Sequence, residues 1–324
     1  MVVKSFRKDF NLQAFILLGF IVALRIPGIL SPPKGVLYSL SSFGEALLSP
    51  VINSGIVASL ISTVVVVLQG FLLTNTISKN DFIQRNTLLP VFLLLLFYSH
   101  DLVFVGFHPL TIPSLILLLV LMLLLDIYNK SEAYLEIFVA ALLTSLCILI
   151  YPPAWGFALF LFLALMSNSI FQWRSWVISL TGLFLPLLFL SCAYYITDAG
   201  KDTLMSFIPH YQPEAIFSIK PTILQWCSVV IISFFFIRGF WKVYAVRNEK
   251  VISFRKKMWV LIWFGVIGLL SIVYAGEAVY YHFSLLTIPA VAFVAFYLLS
   301  VKKLLWIELL MYTLIGLIII QLYS

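Results

Sequence analysis

The sequence predicts an all-α fold, a polytopic transmembrane helical bundle of about eleven spans in one integral membrane domain covering residues 1–324. Three observations predict it. The chain is 63% hydrophobic and only 10% charged, where an average soluble domain carries about 25% charged residues. A soluble protein of this length could not cover so much apolar side chain with so little polar surface. Eleven apolar stretches follow one another along the chain. The cationic residues, finally, fall almost entirely in alternate connections between those stretches.

The candidate spans are Leu12–Leu24, Pro50–Leu73, Leu88–Phe107, Pro113–Leu125, Leu135–Ile150, Ala154–Ser167, Trp176–Ile196, Thr222–Ile237, Met258–Tyr274, Phe283–Ser300 and Leu304–Leu322. The first follows a positive head, Lys4, Arg7 and Lys8, as a secretory signal would. Arg25-Ile26-Pro27 stands where a cleavage site would need small residues, so the segment reads as an uncleaved helix. Alternate connections hold those three cations, then Lys79 and Arg85, Lys130, Arg174, the basic run from Arg238 to Lys257, and Lys302 and Lys303. That makes sixteen of the twenty Lys and Arg, and the other set holds only Arg25, Lys34, Lys201 and Lys220. Because Lys and Arg stay on the cytoplasmic side, the N-terminus is expected in the cytoplasm and the C-terminus outside. The chain is expected to cross its membrane many times.

Several spans fall short of the roughly 20 residues a perpendicular helix needs. Pro113–Leu125, Leu135–Ile150 and Ala154–Ser167 are the clearest cases, with an uncharged turn, Tyr151-Pro152-Pro153-Ala154-Trp155, between the last two. Short helices behind longer ones leave room for a cavity. In the first outer loop Leu37, Leu40, Phe43 and Leu47 recur at helical spacing, which suggests a short interfacial helix. The seventh and eighth spans are joined by Asp198 to Pro221, with Lys201, Asp202, His210, Tyr211, Glu214 and Lys220. Cys147, Cys192 and Cys227 lie inside apolar segments and read as small core residues, with a Cys192–Cys227 disulfide left open.

The third span carries His100 and Asp101 side by side within its apolar run. A carboxylate there costs at least about 2.5 kcal/mol, so it faces protein or trapped water rather than lipid. Thirteen residues beyond Leu88, Asp101 falls in the outer third of the membrane at about 1.5 Å per residue. His108, His210, His282, Glu45, Glu277 and Arg25 are assigned to the same side. Histidine, carboxylate and arginine together suit general-base chemistry and the holding of phosphate. The competing readings are plain: a helix-locking pair for His100 and Asp101, snorkelling for Arg25, an interfacial aromatic belt for Tyr280, Tyr281 and His282, and simple solvation for Glu45.

The chain has no His-Glu-x-x-His, Cys-x-x-Cys, Walker or dinucleotide-binding pattern. His100 and His108 are two turns apart, not at the i, i+4 spacing of a helical metal pair. No cofactor and no metal is expected. The basic residues flank membrane segments rather than a soluble face, which argues against nucleic acid as a partner.

Glu277 to Ala295, with Tyr281, His282 and Pro289, resembles the late helix of GT-C glycosyltransferases, in which an aromatic-rich entry precedes a proline early in an alanine- and leucine-rich helix. The opening also fits: one helix, an outer loop with an interfacial helix, a second span, then short helices. Arg25-Ile26-Pro27, Tyr151-Pro152-Pro153 and Trp173-Arg174-Ser175-Trp176 followed by Gly182 and Pro186 resemble a family of uncharacterised bacterial inner-membrane proteins, chiefly from Bacteroidota. The GT-C resemblance implies transfer of a sugar from a polyprenyl-phosphate donor at the outer face. Its usual early acidic residue in the first outer loop is missing here. Either Glu45, late in that loop, serves as base, or Asp101 does, or the scaffold does not catalyse.

The leading expectation is a GT-C-like glycosyltransferase or polymerase acting on a polyprenyl-phosphate-linked glycan. Asp101, Glu45 and His100 are its candidate catalytic residues. Arg25, His282, Glu277 and Tyr281 are the candidates for holding the lipid phosphate. Two rivals stand beside it: a transporter or flippase gated by a proton-coupled His100–Asp101 pair, and a non-catalytic membrane partner in an envelope assembly. The expected partners are membrane lipids, a polyprenyl-phosphate-linked sugar, or another membrane protein.

Overall fold

A computed structural model describes residues 2–7, 10–32, 40–83, 87–128, 130, 132–196, 222–301 and 305–323, and at Val2, Val103 and Glu277 the backbone alone. Lys8, Lys34, Leu37, Arg85, Lys302 and Lys303 lie outside the described residues, as does the connection carrying Lys201, Asp202, His210, Tyr211, Glu214 and Lys220.

Among the described residues every regular element is helical. The chain runs α1 (Val2–Ser5), α2 (Phe10–Leu30), α3 (Ser42–Ile52), α4 (Ile56–Lys79), α5 (Leu89–Tyr98), α6 (Leu102–Val105), α7 (Thr111–Asp126), α8 (Tyr134–Ile150), α9 (Gly156–Ser167), α10 (Trp173–Ile196), α11 (Ile223–Val246), α12 (Ile252–Leu270), α13 (Val279–His282), α14 (Ser284–Ser300) and α15 (Leu305–Tyr323). Seven segments are long and apolar enough to cross a membrane: α2, α4, α10, α11, α12, α13 with α14, and α15, some with a short flanking turn. Large apolar side chains stand exposed along them, such as Val177, Leu180, Phe184 and Leu188 on α10. Lipid, not water, is the solvent for such a face. This is an integral, multi-pass membrane protein.

The other four predicted spans are helices too, but short ones. Helices α5, α9, α7 and α8 have 10, 12, 16 and 17 residues. At about 1.5 Å per residue they run roughly 15 to 26 Å, against a hydrocarbon core of about 30 Å. The expected continuous helix from Leu88 to Phe107 is corrected most clearly, because it is broken after Tyr98. The cause is local. In a continuing helix the Phe97 carbonyl would accept the Asp101 N–H; instead it meets His100 Nδ1 at 2.6 Å. A side chain has taken the backbone's partner, and the helix stops.

The first span is longer than expected and runs through Pro27 to Leu30. Proline has no N–H, so the Ala23 carbonyl one turn back loses its helical partner. The Tyr323 hydroxyl at the end of α15 donates to it at 2.9 Å. Arg25 therefore sits inside a helix, not at its end.

Contacts between distant residues sort the helix ends into two groups. At one end Lys79 pairs with Asp126 at 2.5 Å, Lys130 with Glu136 at 2.5 Å, and Lys256 lies over Tyr128. There too the buried Glu308 carboxylate accepts the Val3 and Lys4 N–H groups at 3.3 and 2.8 Å. At the other end Tyr323 meets Ala23, Trp155 packs on Tyr274, and Ser41 donates to the Leu149 carbonyl. Ser41 also accepts the Gly44 N–H at 2.9 Å, so one residue both caps α3 and seats it on the end of α8.

The centre of the bundle is α5. All ten of its residues are buried, which matches a sequence apolar on every face. Gln13 on α2 accepts the Leu88 N–H at 2.8 Å and closes its first turn. Helix α14 is the other inner element: Val279–Ser300 is 72% buried, whereas Trp173–Ile196 and Ile223–Glu249 are each 17% buried. Ser175, Ser179 and Gly182 are the small residues that α10 turns inward toward α8. A Cβ at Gly239 would come within 2.7 Å of the Phe293 carbonyl oxygen, so glycine permits the close crossing of α11 and α14.

Candidate functional site

The break between α5 and α6 gathers most of the polar residues singled out from the sequence. Asp101 is buried, and one carboxylate oxygen, Oδ2, accepts from two side chains. Tyr280 Oη donates at 2.7 Å and Gln225 Nε2 donates as well. Gln225 is held in place by the start of α11. Its Oε1 accepts the Thr222 N–H at 2.7 Å while its own N–H reaches Thr222 Oγ1 at 3.3 Å, a reciprocal capping box. The pattern Thr-x-x-Gln was readable in the sequence, but nothing there said that the glutamine would also reach Asp101. His100 and Asp101 diverge to different partners. His100 turns to Phe97 and packs at 4.7 Å on Phe104 and at 6.4 Å on Tyr280.

One turn further on, Arg25 enters from α2. It is 1% exposed. Its Nη1 donates to the Val105 carbonyl at 3.2 Å, and its Nε and Nη2 have no hydrogen-bond partner. Gly28 makes the approach possible, since a Cβ there would overlap the Val105 side chain. Tyr98 and His108 lie within electrostatic reach of the guanidinium. The His108 ring stacks on Tyr281 at 5.4 Å and on Tyr98 at 6.4 Å. The Leu110 N–H points at His108 Nδ1 at 3.3 Å, which makes that nitrogen the acceptor. In the neutral ring Nε2 then carries the proton, and it has no partner. The Tyr98 hydroxyl faces those of Ser114, Ser284 and Thr287 without a hydrogen bond of ordinary geometry to any.

The result is an enclosed polar cluster in which the Arg25 and His108 N–H groups lack partners. Two guanidinium nitrogens and one imidazole N–H are left unsatisfied, each shut off from solvent. A buried polar group without a partner costs about 1–3 kcal/mol, and a charged one more.

The remaining sequence candidates fall elsewhere. His282 is buried, but both ring nitrogens are occupied: Nδ1 by the Tyr151 hydroxyl at 3.0 Å, Nε2 by Ser271 Oγ at 2.9 Å and the Gly268 carbonyl at 3.1 Å. Glu45 is exposed in the first turn of α3. The Glu277 side chain lies outside what the structure describes. Among the described residues no three His, Cys, Asp or Glu gather to hold a metal ion. All three cysteines are free; Cys147 is buried, while Cys192 and Cys227 are exposed, which corrects their reading as core residues.

Three participants went unassigned from sequence. Tyr280 was visible only as a neighbour of Tyr281, Tyr98 as one more aromatic in an apolar run, and Gln225 as a helix-start residue. No curated protein and no solved structure matches the chain, so the GT-C resemblance rests on its residues alone. A family model does match, over residues 46–324, a range that takes in Asp101, His108, Gln225 and Tyr280 and begins after Arg25. The chain belongs to that family, DUF6427, a family of unknown function.

Proposed function

We propose that this protein recognises the phosphate of a polyprenyl-phosphate-linked glycan in the outer half of a bacterial inner membrane and transfers the glycan there. The carrying observation is the set of unsatisfied N–H donors on Arg25 and His108, which phosphate oxygens complement in charge. In the proposed step Asp101 takes the proton of an acceptor hydroxyl. The acceptor oxygen bonds to the anomeric carbon, the bond from that carbon to the phosphate oxygen breaks, and the lipid phosphate leaves with the electron pair. Arg25 offsets the charge that develops on the phosphate. Tyr280 and Gln225 aim the carboxylate, and His282 is a positioning residue that holds the turn carrying Tyr280 and Tyr281. The donors are enclosed in this conformation, so the turn between α5 and α6 must yield to admit a ligand. The proposed topology has eleven membrane segments, N-terminus inside and C-terminus outside. It is supported by the way same-side residues of the charge pattern, such as Lys79 with Tyr128, Lys130 and Lys256, share one end of the bundle.

The test is turnover of a labelled polyprenyl-phosphate sugar in proteoliposomes. The wild-type protein is expected to consume it, and Asp101→Asn to lose at least about 100-fold, the lower range for a general base. Equal rates in the two would exclude Asp101 as the base.

A transporter is the second reading, favoured by one observation: the helix break at Tyr98–Leu102 exposes irregular backbone beside an intramembrane acid, as discontinuous transporter helices do. It predicts lipid or solute flux driven by a pH gradient, with no covalent change in the substrate.

A further inference from the structure

The basic end of the bundle holds a cavity of about 450 Å3 that lies apart from the Arg25 cluster. Tyr128, Lys130, Asn168, Ser169, Gln172 and Lys256 line it, drawn from the α7–α8 connection, the α9–α10 turn and the start of α12. We infer that it is a headgroup site for an anionic, hydroxyl-bearing phospholipid of the phosphatidylglycerol class in the inner leaflet.

Charge points to the phosphate. Among the described residues Lys256 has no carboxylate within ion-pair distance, and its ammonium lies 5.2 Å from the Tyr128 ring centre. Lys257 approaches the same ring at 5.8 Å. Lys130 is paired with Glu136 at 2.5 Å, but an ammonium has two further protons to give.

Asn168 points to the hydroxyl. It is 5% exposed, and its Nδ2 donates to the Leu124 and Ala164 carbonyls, each at 3.0 Å. Two carbonyls fix the amide's orientation, because turning it would set oxygen against oxygen. Oδ1 is therefore an acceptor, buried without a partner in a residue that lines the cavity. A choline phosphate offers no donor for it; a glycerol headgroup offers two. The residue after it, Ser169, holds φ at +61°, a left-handed conformation uncommon for a non-glycine residue.

The surroundings select a lipid over a soluble phosphate. Phe171 lines the cavity and is exposed, as is Trp173 at the start of α10, and exposed aromatic side chains of this kind favour the headgroup region. From there Val177, Leu180 and Phe184 form an exposed apolar stripe along α10 for an acyl chain. Anionic inner-leaflet lipid near basic residues is electrostatically favoured.

The test uses the full-length protein in nanodiscs, with bound lipid counted by native mass spectrometry. Dioleoyl phosphatidylglycerol is expected to bind at least tenfold more tightly than dioleoyl phosphatidylcholine. Lys256→Gln should reduce that preference about tenfold, and Arg255→Gln, an exposed neighbour outside the cavity, should leave it unchanged. Millimolar glycerol phosphate should not displace the lipid. Equal binding of the two lipids overturns the proposal, and so does an Arg255→Gln loss as large as that of Lys256→Gln, which would mean a diffuse basic surface. Displacement by glycerol phosphate overturns it as well, in favour of a soluble ligand.

Discussion

The protein buries two histidine–tyrosine clusters of similar chemistry, and they are opposite in one respect. Around His282 every polar atom of the ring is used: Tyr151 donates to Nδ1, while Nε2–H faces the Gly268 carbonyl and Ser271. Around His108 the reverse holds, with Nε2, Arg25 Nε and Arg25 Nη2 all left without partners. A satisfied network rigidifies a fold, whereas a half-satisfied one costs stability and persists where something else depends on it. The contrast fits a structural role for the first cluster and supports the proposed ligand recognition at the second.

Four substitutions would break or sharpen that contrast. The largest effect on activity is expected for Asp101→Asn: at least about 100-fold in transfer rate, about 2.7 kcal/mol in barrier. Its thermal unfolding should barely move, because asparagine's oxygen still accepts from Tyr280 and Gln225. His282→Ala should do the opposite, lowering stability by about 3 kcal/mol in a thermal melt through a cavity and stranded Tyr151 and Ser271 hydroxyls. Phosphate-lipid affinity per folded molecule should be unchanged; a selective loss of affinity would move His282 into the binding site. Gly28→Ala comes next, at about 2 kcal/mol, since its Cβ would force α2 away from Val105. That shift carries Arg25 with it, so ligand-induced stabilisation should fall too. Tyr323→Phe is the smallest, about 1 kcal/mol for the freed Ala23 carbonyl, with ligand binding intact.

The helical class, the apolar segments and the unusual status of the His100–Asp101 stretch were all legible in the sequence. Each of those rests on composition or on a charge inside an apolar run, and both are local properties. The break at Tyr98 was not legible, because an apolar run carries no stop signal and the cause is a single side-chain bond from His100 to Phe97. Gln225 and Tyr280 were missed as partners of Asp101 for a different reason: they lie 124 and 179 residues away. Confinement to one membrane face was a one-dimensional criterion. It grouped Arg25, Asp101 and Tyr281 with Glu45 and His282, and only packing separates the enclosed donors around Arg25 from an exposed carboxylate and a saturated imidazole. The first span was expected to end at Leu24, and its continuation through Pro27 was not legible because Tyr323, from the far end of the chain, supplies the compensation.

The most direct test of the central claim is a pair of melts on Arg25→Met in nanodiscs, with and without polyprenyl phosphate. An unpaired buried guanidinium destabilises, so the ligand-free variant should melt higher than the wild type. Added polyprenyl phosphate should stabilise the wild type and leave the variant unmoved. A variant that melts lower and still responds to the lipid would contradict the account, making Arg25 a structural residue and leaving the phosphate to bind elsewhere.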